Sequence, residues 1–256
     1  MSSELEGIRF EKRQVFCLVR TRGLCCTSEG ASAMSCFKVR RYQDEDKEVV
    51  KEIFALGMSE HVPTSFMYVL KQPLIQMVLM CIFCSLLASS KSFLLPVLAV
   101  TLLLAGTRQT VSYLFMSYID ASLKDDLGCI KKNYLEKKDS CFWVAESEGQ
   151  VVATMACVPA KGQEECLELK RLSVRRNHRG KGIAKALCKV AADFTRDRGY
   201  QAVVLYVSVV QTDAQKLYEH MRFRKIRQFL FPKLISKLTN FYIFEYRLEV
   251  QESSAS

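Results

Sequence analysis

The chain has 256 residues, 49% hydrophobic and 25% charged, a composition that excludes a disordered polyelectrolyte and a collagen-like fibre and allows one large domain or two small ones. Lys and Arg number 37 against 27 Asp and Glu, a net charge of +10 that favours an anionic partner: a nucleotide, a phosphate group, a nucleic acid or lipid headgroups. Eleven cysteines, an odd number without framework spacing and with no signal-peptide pattern in residues 1–30, are expected in a reducing compartment.

Residues 1–33 mix charges, Ser and Cys with no sustained period and read as a flexible N-terminal extension, in which Cys17, Cys25 and Cys26 are candidates for acylation and after which Met34 is an alternative start. A strand is expected over residues 36–42. Asp44 then caps a helix with Glu45 and Asp46 in its first turn and Val49, Val50, Ile53, Phe54 and Leu56 as its apolar stripe.

From Leu74 to Gly106 the chain is almost unbroken hydrocarbon. As one helix, this run would reach about 50 Å, against a hydrocarbon thickness of roughly 30 Å. Lys91, flanked by Ser89, Ser90 and Ser92, would cost about 3 kcal/mol at a bilayer centre, so a bend there is the cheaper arrangement. The arms are short, which leaves a tight transmembrane hairpin or a re-entrant wedge, with two buried core helices as the soluble alternative. Cys81 and Cys84 form a C-x-x-C without further ligands and are read as buried apolar cysteines.

An amphipathic stretch runs to Lys138. Strands are expected at 141–146 and 150–157, joined by a turn at Ser147, Glu148 and Gly149, then at 166–174, 202–209 and 241–248. The division is therefore 1–33 extension, 34–71 first part of the main domain, 72–110 membrane hairpin, 111–249 remainder of the domain and 250–256 tail. Trp143 is expected in the core. Arg222, Arg224, Lys225, Arg227, Lys233 and Lys237 interleave with Phe223, Phe229, Phe231 and Pro232 and fit a membrane-facing stretch better than a nucleic-acid site, a solvated face being the other reading.

The most informative piece runs from Glu168 to Leu187. A strand ends near Val174, a basic loop follows, and a helix opens with Gly180 and Gly182 at its mouth and Ile183, Leu187, Val190 and Phe194 along its apolar face. Glycines there let backbone N–H groups approach a ligand, and the positive end of the helix adds to them, which together make a cradle for a pyrophosphate. Arg175, Arg176, Arg179, Lys181, Lys185 and Lys189 surround it with positive charge. The loop lacks the Gly-Lys-Ser/Thr of a Walker loop and the βαβ context of a dinucleotide fingerprint.

The arrangement R-G-x-G-x-A entering a helix resembles the coenzyme A site of the GNAT acetyltransferase superfamily. Gln211, Ala214, Leu217, Tyr218 and Phe223 are similar in spacing to a second superfamily motif. More narrowly, the segments at 39–46, 57–63, 140–146 and 171–174, together with the hydrophobic run, resemble the camello-like N-acetyltransferases from about Cys36 to Leu248. The resemblance implies an α/β GNAT fold, a mixed and mostly antiparallel twisted sheet flanked by helices, with an inserted hydrophobic hairpin. It also implies transfer of acetyl from acetyl-CoA to an amine at an endoplasmic reticulum or Golgi membrane. Relatives acetylate cysteine S-conjugates, aspartate or protein lysines including histone lysines.

By the same resemblance, main-chain groups of Leu172, Ser173 and Val174 align the pantetheine arm, and Arg179, Gly180, Lys181, Gly182, Ile183 and Ala184 grip the pyrophosphate. Gln211 stands where the family has Asn, and Tyr218 protonates the departing thiolate, unless its ring serves only the core. Glu168 stands where some relatives carry a base, a solvated strand carboxylate being the alternative, and Glu60 with His61 is a second candidate pair facing the substrate. Asn177 and Arg222 depart from the family pattern, and Arg222 occupies a position that favours positive φ. A catalytically weak binding or scaffold protein on the same fold is the rival function. Because the first strand of such a sheet pairs with strands beyond the insertion, the hairpin must cross twice or not at all, and Lys71 and Arg108 at its ends favour a cytosolic domain.

Overall fold

The computed structural model describes residues 37–90, 92–230 and 239–250. The N-terminal extension with Cys17, Cys25 and Cys26, together with Lys91, Phe231, Pro232, Lys233, Lys237 and the tail beyond Val250, lies outside the described residues.

Among the described residues, seven strands form one sheet: β1 (Phe37–Arg41), β2 (Cys141–Ser147), β3 (Gln150–Pro159), β4 (Cys166–Val174), β5 (Ala202–Ser208), β6 (Arg224–Leu230) and β7 (Tyr242–Glu249), in the order β1-β2-β3-β4-β5-β7-β6. Neighbours are antiparallel except β4 and β5, which run parallel. The turn between β2 and β3 holds Glu148 at φ 54° and Gly149 at φ 74°, a pair of left-handed residues whose twist matches that of the flanking strands. Alternation along β2 sends Trp143 and Ala145 to one face and Phe142 and Val144 to the other, so each face of the sheet builds its own core.

On the first face lie α5 (Ile183–Asp197) and α6 (Thr212–His220). Ile183, Leu187, Cys188 and Ala191 form the apolar stripe of α5, and Trp143 packs edge-on against Phe194 with ring centroids 5.0 Å apart. On the second face lie α1 (Lys47–Ser59), through Val50, Ile53 and Phe54, and the end of α4 (Leu94–Lys124), through Ile119. The helix α2 (His61–Leu70) follows α1 after the single residue Glu60, and α3 (Pro73–Ser90) follows α2 after Lys71 and Gln72.

Both α3 and α4 are long and apolar enough to cross a membrane. They are joined by residues 91–93 and pack against each other, with Phe83 and Phe93 in edge contact. No residue of α3 is buried, so the alternative of two buried core helices fails, and Cys81 and Cys84 are exposed rather than buried, because α4, the main neighbour of α3 among the described residues, covers only part of its surface. Hydroxyls of Thr101, Thr107 and Thr110 donate back to the carbonyls of Val97, Leu103 and Gly106, which satisfies them without water. The second arm does not stop near Gly106: α4 continues unbroken for 31 residues, about 46 Å, from its exposed apolar half into the core of the sheet domain. β6 was not expected as a strand. Its residues are all exposed, so no apolar alternation marks it, and it is held by its ladder to β7.

Candidate active site

The parallel ladder between β4 and β5 is short: Cys166 pairs with Ala202, Leu167 with Val203 and Glu168 with Val204, and there it ends. Beyond that rung β4 stays with β3 as far as Val174, while β5 stays with β7 as far as Ser208. Two strands that separate in mid-sheet leave facing edges of unpaired main-chain groups, which an extended amide-bearing ligand can satisfy as an added strand.

A bulge in β4 shapes one lip of this cleft. The register shifts opposite Thr154 and Ala156, and Arg171 sits there at φ 56°, a left-handed conformation costing roughly 1–2 kcal/mol for a residue with a Cβ. Thr154 Oγ1 donates to the Arg171 carbonyl at 2.8 Å, and the guanidinium makes a two-pronged ion pair with Asp126 at 2.6 and 2.9 Å. It also lies 4.6 Å from the centre of the Phe54 ring. Tyr134, on the short π-helical turn Lys131–Leu135, donates to the same carboxylate. Burial alone would raise the Asp126 pKa, but Arg171 and Tyr134 more than reverse this and hold it below the usual carboxylate value. The sequence did not reveal this cluster, since nothing local links residues 126, 134 and 171.

After Val174 the chain makes the short turn Arg176–His178 and reaches α5 through two left-handed glycines, Gly180 at φ 76° and Gly182 at φ 80°. Among the described residues, the backbone N–H groups of residues 180–182 donate to no carbonyl, and those of residues 183–185 belong to the first turn of α5, whose N–H groups have no partner within the helix. A Cβ added at Gly180 or Gly182 would meet no protein atom within 4 Å. The cradle is therefore six consecutive donors at a helix N-terminus, open on the ligand side, and its residues fit a diphosphate. Ile183 is buried and anchors the helix to the sheet, and Ala184 follows it in the first turn.

The junction of α1 and α2 crosses the mouth of the cleft. Glu60 Oε2 accepts from Arg179 Nη1 at 2.7 Å, while Arg179 Nε donates to the Val174 carbonyl at 3.0 Å, so this residue reaches the β4 side. The next residue, His61, reaches the β5 side, where its Nε2 lies 3.4 Å from Nε2 of Gln211. Gln211 is fixed in turn, because its Oε1 accepts from both the N–H and the Oγ of Ser208 at 3.0 Å. Gly57 permits the close approach of α1 to β4: a Cβ there would stand 2.4 Å from Ser173 Oγ, which donates to the Ile53 carbonyl. A cavity of about 570 Å³ lies here, lined by Leu56, Gly57 and Glu60 on one side and Val174 and Arg175–Arg179 on the other.

Glu168 occupies the last rung before the strands separate and is half-buried, with Lys170 Nζ at 3.8 Å, and burial pushes its carboxyl up. Tyr218 is buried on α6 between Phe223 and Tyr246, its hydroxyl has no hydrogen-bond partner among the described residues, and burial raises its pKa. Leu172 and Val174 turn toward the α5 face, where they pack on the core, and Ser173 turns to the other face. Lys181 is exposed at the cradle. Arg222 does adopt positive φ, 67°, at the end of α6. A wider hollow of about 930 Å³ lined by Asp139, Glu165, Arg198 and Arg247 lies away from the cradle, at the starts of β4 and β5.

Residues 109–223 match the sequence profile of the Acetyltransferase (GNAT) family. N-acetyltransferase 8 of Rattus norvegicus is 39% identical over 196 residues, covering 75% of this chain and 88% of the relative. The probable N-acetyltransferase camello of Xenopus tropicalis is 33% identical over 218 residues, 85% of this chain and all 100% of its own. The chain belongs to the camello-like N-acetyltransferase family. A GNAT-family acetyltransferase from Staphylococcus aureus Mu50 superposes with a TM-score of 0.52 at 18% identity, over 84% of this chain and 100% of that one, and shows the same fold. This camello-like protein is accordingly an acetyl-transferring enzyme with acetyl-CoA as its co-substrate.

Proposed function

We propose that the enzyme is an N-acetyltransferase anchored in an endoplasmic reticulum or Golgi membrane by the α3–α4 hairpin, with its sheet domain in the cytosol, and that it acetylates a primary amine. The acceptor is a protein lysine, histone lysines included, or an amino-acid-like amine such as a cysteine S-conjugate. The observation that carries this reading is the separation of β4 from β5 leading directly to the open cradle at Gly180–Lys185. The amides of residues 180–185, with Arg179 and Lys181, would hold the diphosphate, and the free edge of β4 at Leu172–Val174 would pair with the amide arm, beside Gln211. Acetyl-CoA supplies a thioester, an acyl group already activated toward amines.

The protein's own contribution is orientation and proton handling. Glu168 at the closed vertex offers a carboxylate to draw the amine into the cleft. Tyr218, its ring buried and its hydroxyl without a hydrogen-bond partner among the described residues, donates its proton to the leaving sulfur. Anchoring is supported by the exposed apolar faces of α3 and the first half of α4, and the cytosolic side by Lys71 and Arg108 at the hairpin's ends.

Calorimetric titration of the detergent-solubilised protein with acetyl-CoA tests the cradle; absence of binding removes the assignment. Release of CoA with lysine peptides, cysteine conjugates and aspartate then identifies the acceptor. Tyr218→Phe is expected to bind acetyl-CoA as the wild type does and to lose turnover by about 100-fold. A scaffold protein would show no turnover for this substitution to remove.

A further inference from the structure

Resting on the transferase reading above, we infer that His61 is the catalytic residue that takes the proton from the attacking amine. Its placement is the first argument. As the first residue of α2, directly after Glu60, it belongs to a junction with side-chain contacts on both sides of the cleft, Glu60 to Arg179 after β4 and His61 to Gln211 after β5. Glu168, the other candidate, stands at the last paired rung with Lys170 beside it, whereas His61 stands beyond the rungs, beside Gln211 past the end of β5.

The second argument fixes the tautomer. Both hydrogens offered by Ser208 go to Oε1 of Gln211, so the amide of Gln211 must present its NH2 group to His61. An NH2 group only donates, and the ring nitrogen it faces, Nε2, therefore carries the lone pair while the proton sits on Nδ1. At 3.4 Å this hydrogen bond is long, so an amine N–H arriving in the cleft competes for the lone pair on favourable terms.

The third argument concerns charge. Burial keeps the imidazole neutral and pulls its pKa below the usual value; the charged groups facing it are Glu60 on its own junction, Arg179 from the loop before α5 and Asp213 from α6. The two carboxylates partly offset burial and are available to stabilise the imidazolium once it forms. In the step, a C–N bond forms and the C–S bond breaks. One proton passes from the amine nitrogen to His61 Nε2, and another passes from the Tyr218 hydroxyl to the departing sulfur. His61 then returns its proton through solvent to the Tyr218 phenolate, which restores both groups.

The test compares the full-length wild type with His61→Gln and His61→Ala, using CoA release from acetyl-CoA with the acceptor that the wild type turns over fastest. Because only the neutral imidazole accepts a proton, wild-type kcat should rise with pH through the His61 pKa, below about 6.5. His61→Gln should lose this acid limb and at least about 100-fold in kcat, with calorimetric affinity for acetyl-CoA unchanged, and added imidazole should restore turnover to His61→Ala. A kcat within threefold of wild type, a surviving acid limb, no restoration by imidazole, or lost acetyl-CoA affinity in His61→Gln would each overturn the assignment. A wild type that binds no acetyl-CoA would instead remove the transferase reading on which it rests.

Discussion

Gly182 illustrates how much of this site rests on single backbone conformations. At φ 80° it caps α5 from the left-handed region, and no protein atom lies within 4 Å of the position a Cβ would take. Gly182→Ala therefore meets no steric barrier among the described residues and acts through two other effects: about 1 kcal/mol or more of left-handed strain, and a methyl group in the space where the diphosphate is proposed to approach the amides. We predict a modest loss of thermal stability together with at least a tenfold loss of acetyl-CoA affinity in calorimetry. Equal affinity would mean that the anion lies elsewhere. The glycine turn at Gly180 and Gly182 and the place of Tyr218 on α6 were legible in the sequence because spacing encodes a local backbone shape and one helix face, while the roles given to these residues remain proposals. Glu60 and Arg179, 119 positions apart, were each singled out in the sequence but not linked to one another, since their ion pair depends on how α1 docks on β4.

At the scale of elements, the bulge in β4 is held by an ion pair reaching back to the end of α4. Arg171 and Asp126 are both largely buried, with side chains 10% and 17% exposed, so removing one partner leaves a charge without compensation. Asp126→Asn should cost about 3–5 kcal/mol and loosen the lip of the cleft. The same pair sets an acid limit. Asp126 titrates in the folded protein below its unfolded value of about 3.9. Its stabilisation is therefore complete above that unfolded value and is lost as pH falls through the folded pKa. Asp46, held low by Arg40 and by the N–H of Gln43 against the opposing effect of burial, has the same sign. Thermal melts should show the wild type losing stability below about pH 4, with Asp126→Asn flatter over that range; parallel curves would assign the acid sensitivity elsewhere. Here the sequence was least informative. The expected strands from β2 to β5 lie within a residue or two of the observed ones because apolar alternation marks them, but β6, exposed throughout, and the continuation of α4 past Arg108 carry no such mark.

For the molecule as a whole, chain order and sheet order together constrain topology. β1 precedes the hairpin in sequence and β2 follows it, yet the two are paired along five residues from Phe37–Ser147 to Arg41–Trp143. A backbone ladder cannot form across a bilayer, so the segment between them must return to the side from which it left. An 18-residue α3 reaches about 27 Å, close to a hydrocarbon thickness of roughly 30 Å, so under the proposed anchoring one pass of α3 is long enough to span a bilayer. We predict that tags added at the two ends of the chain respond alike to protease in sealed microsomes, both being cleaved if the sheet domain is cytosolic. Cleavage of one tag and protection of the other would require an odd number of crossings, which the β1–β2 ladder does not permit unless a further crossing lies outside residues 37–250. A third site placed between Ser90 and Leu94 separates the two remaining forms of the hairpin: protection until detergent is added marks a full double crossing, and cleavage in intact vesicles marks a wedge that never leaves the cytosolic leaflet.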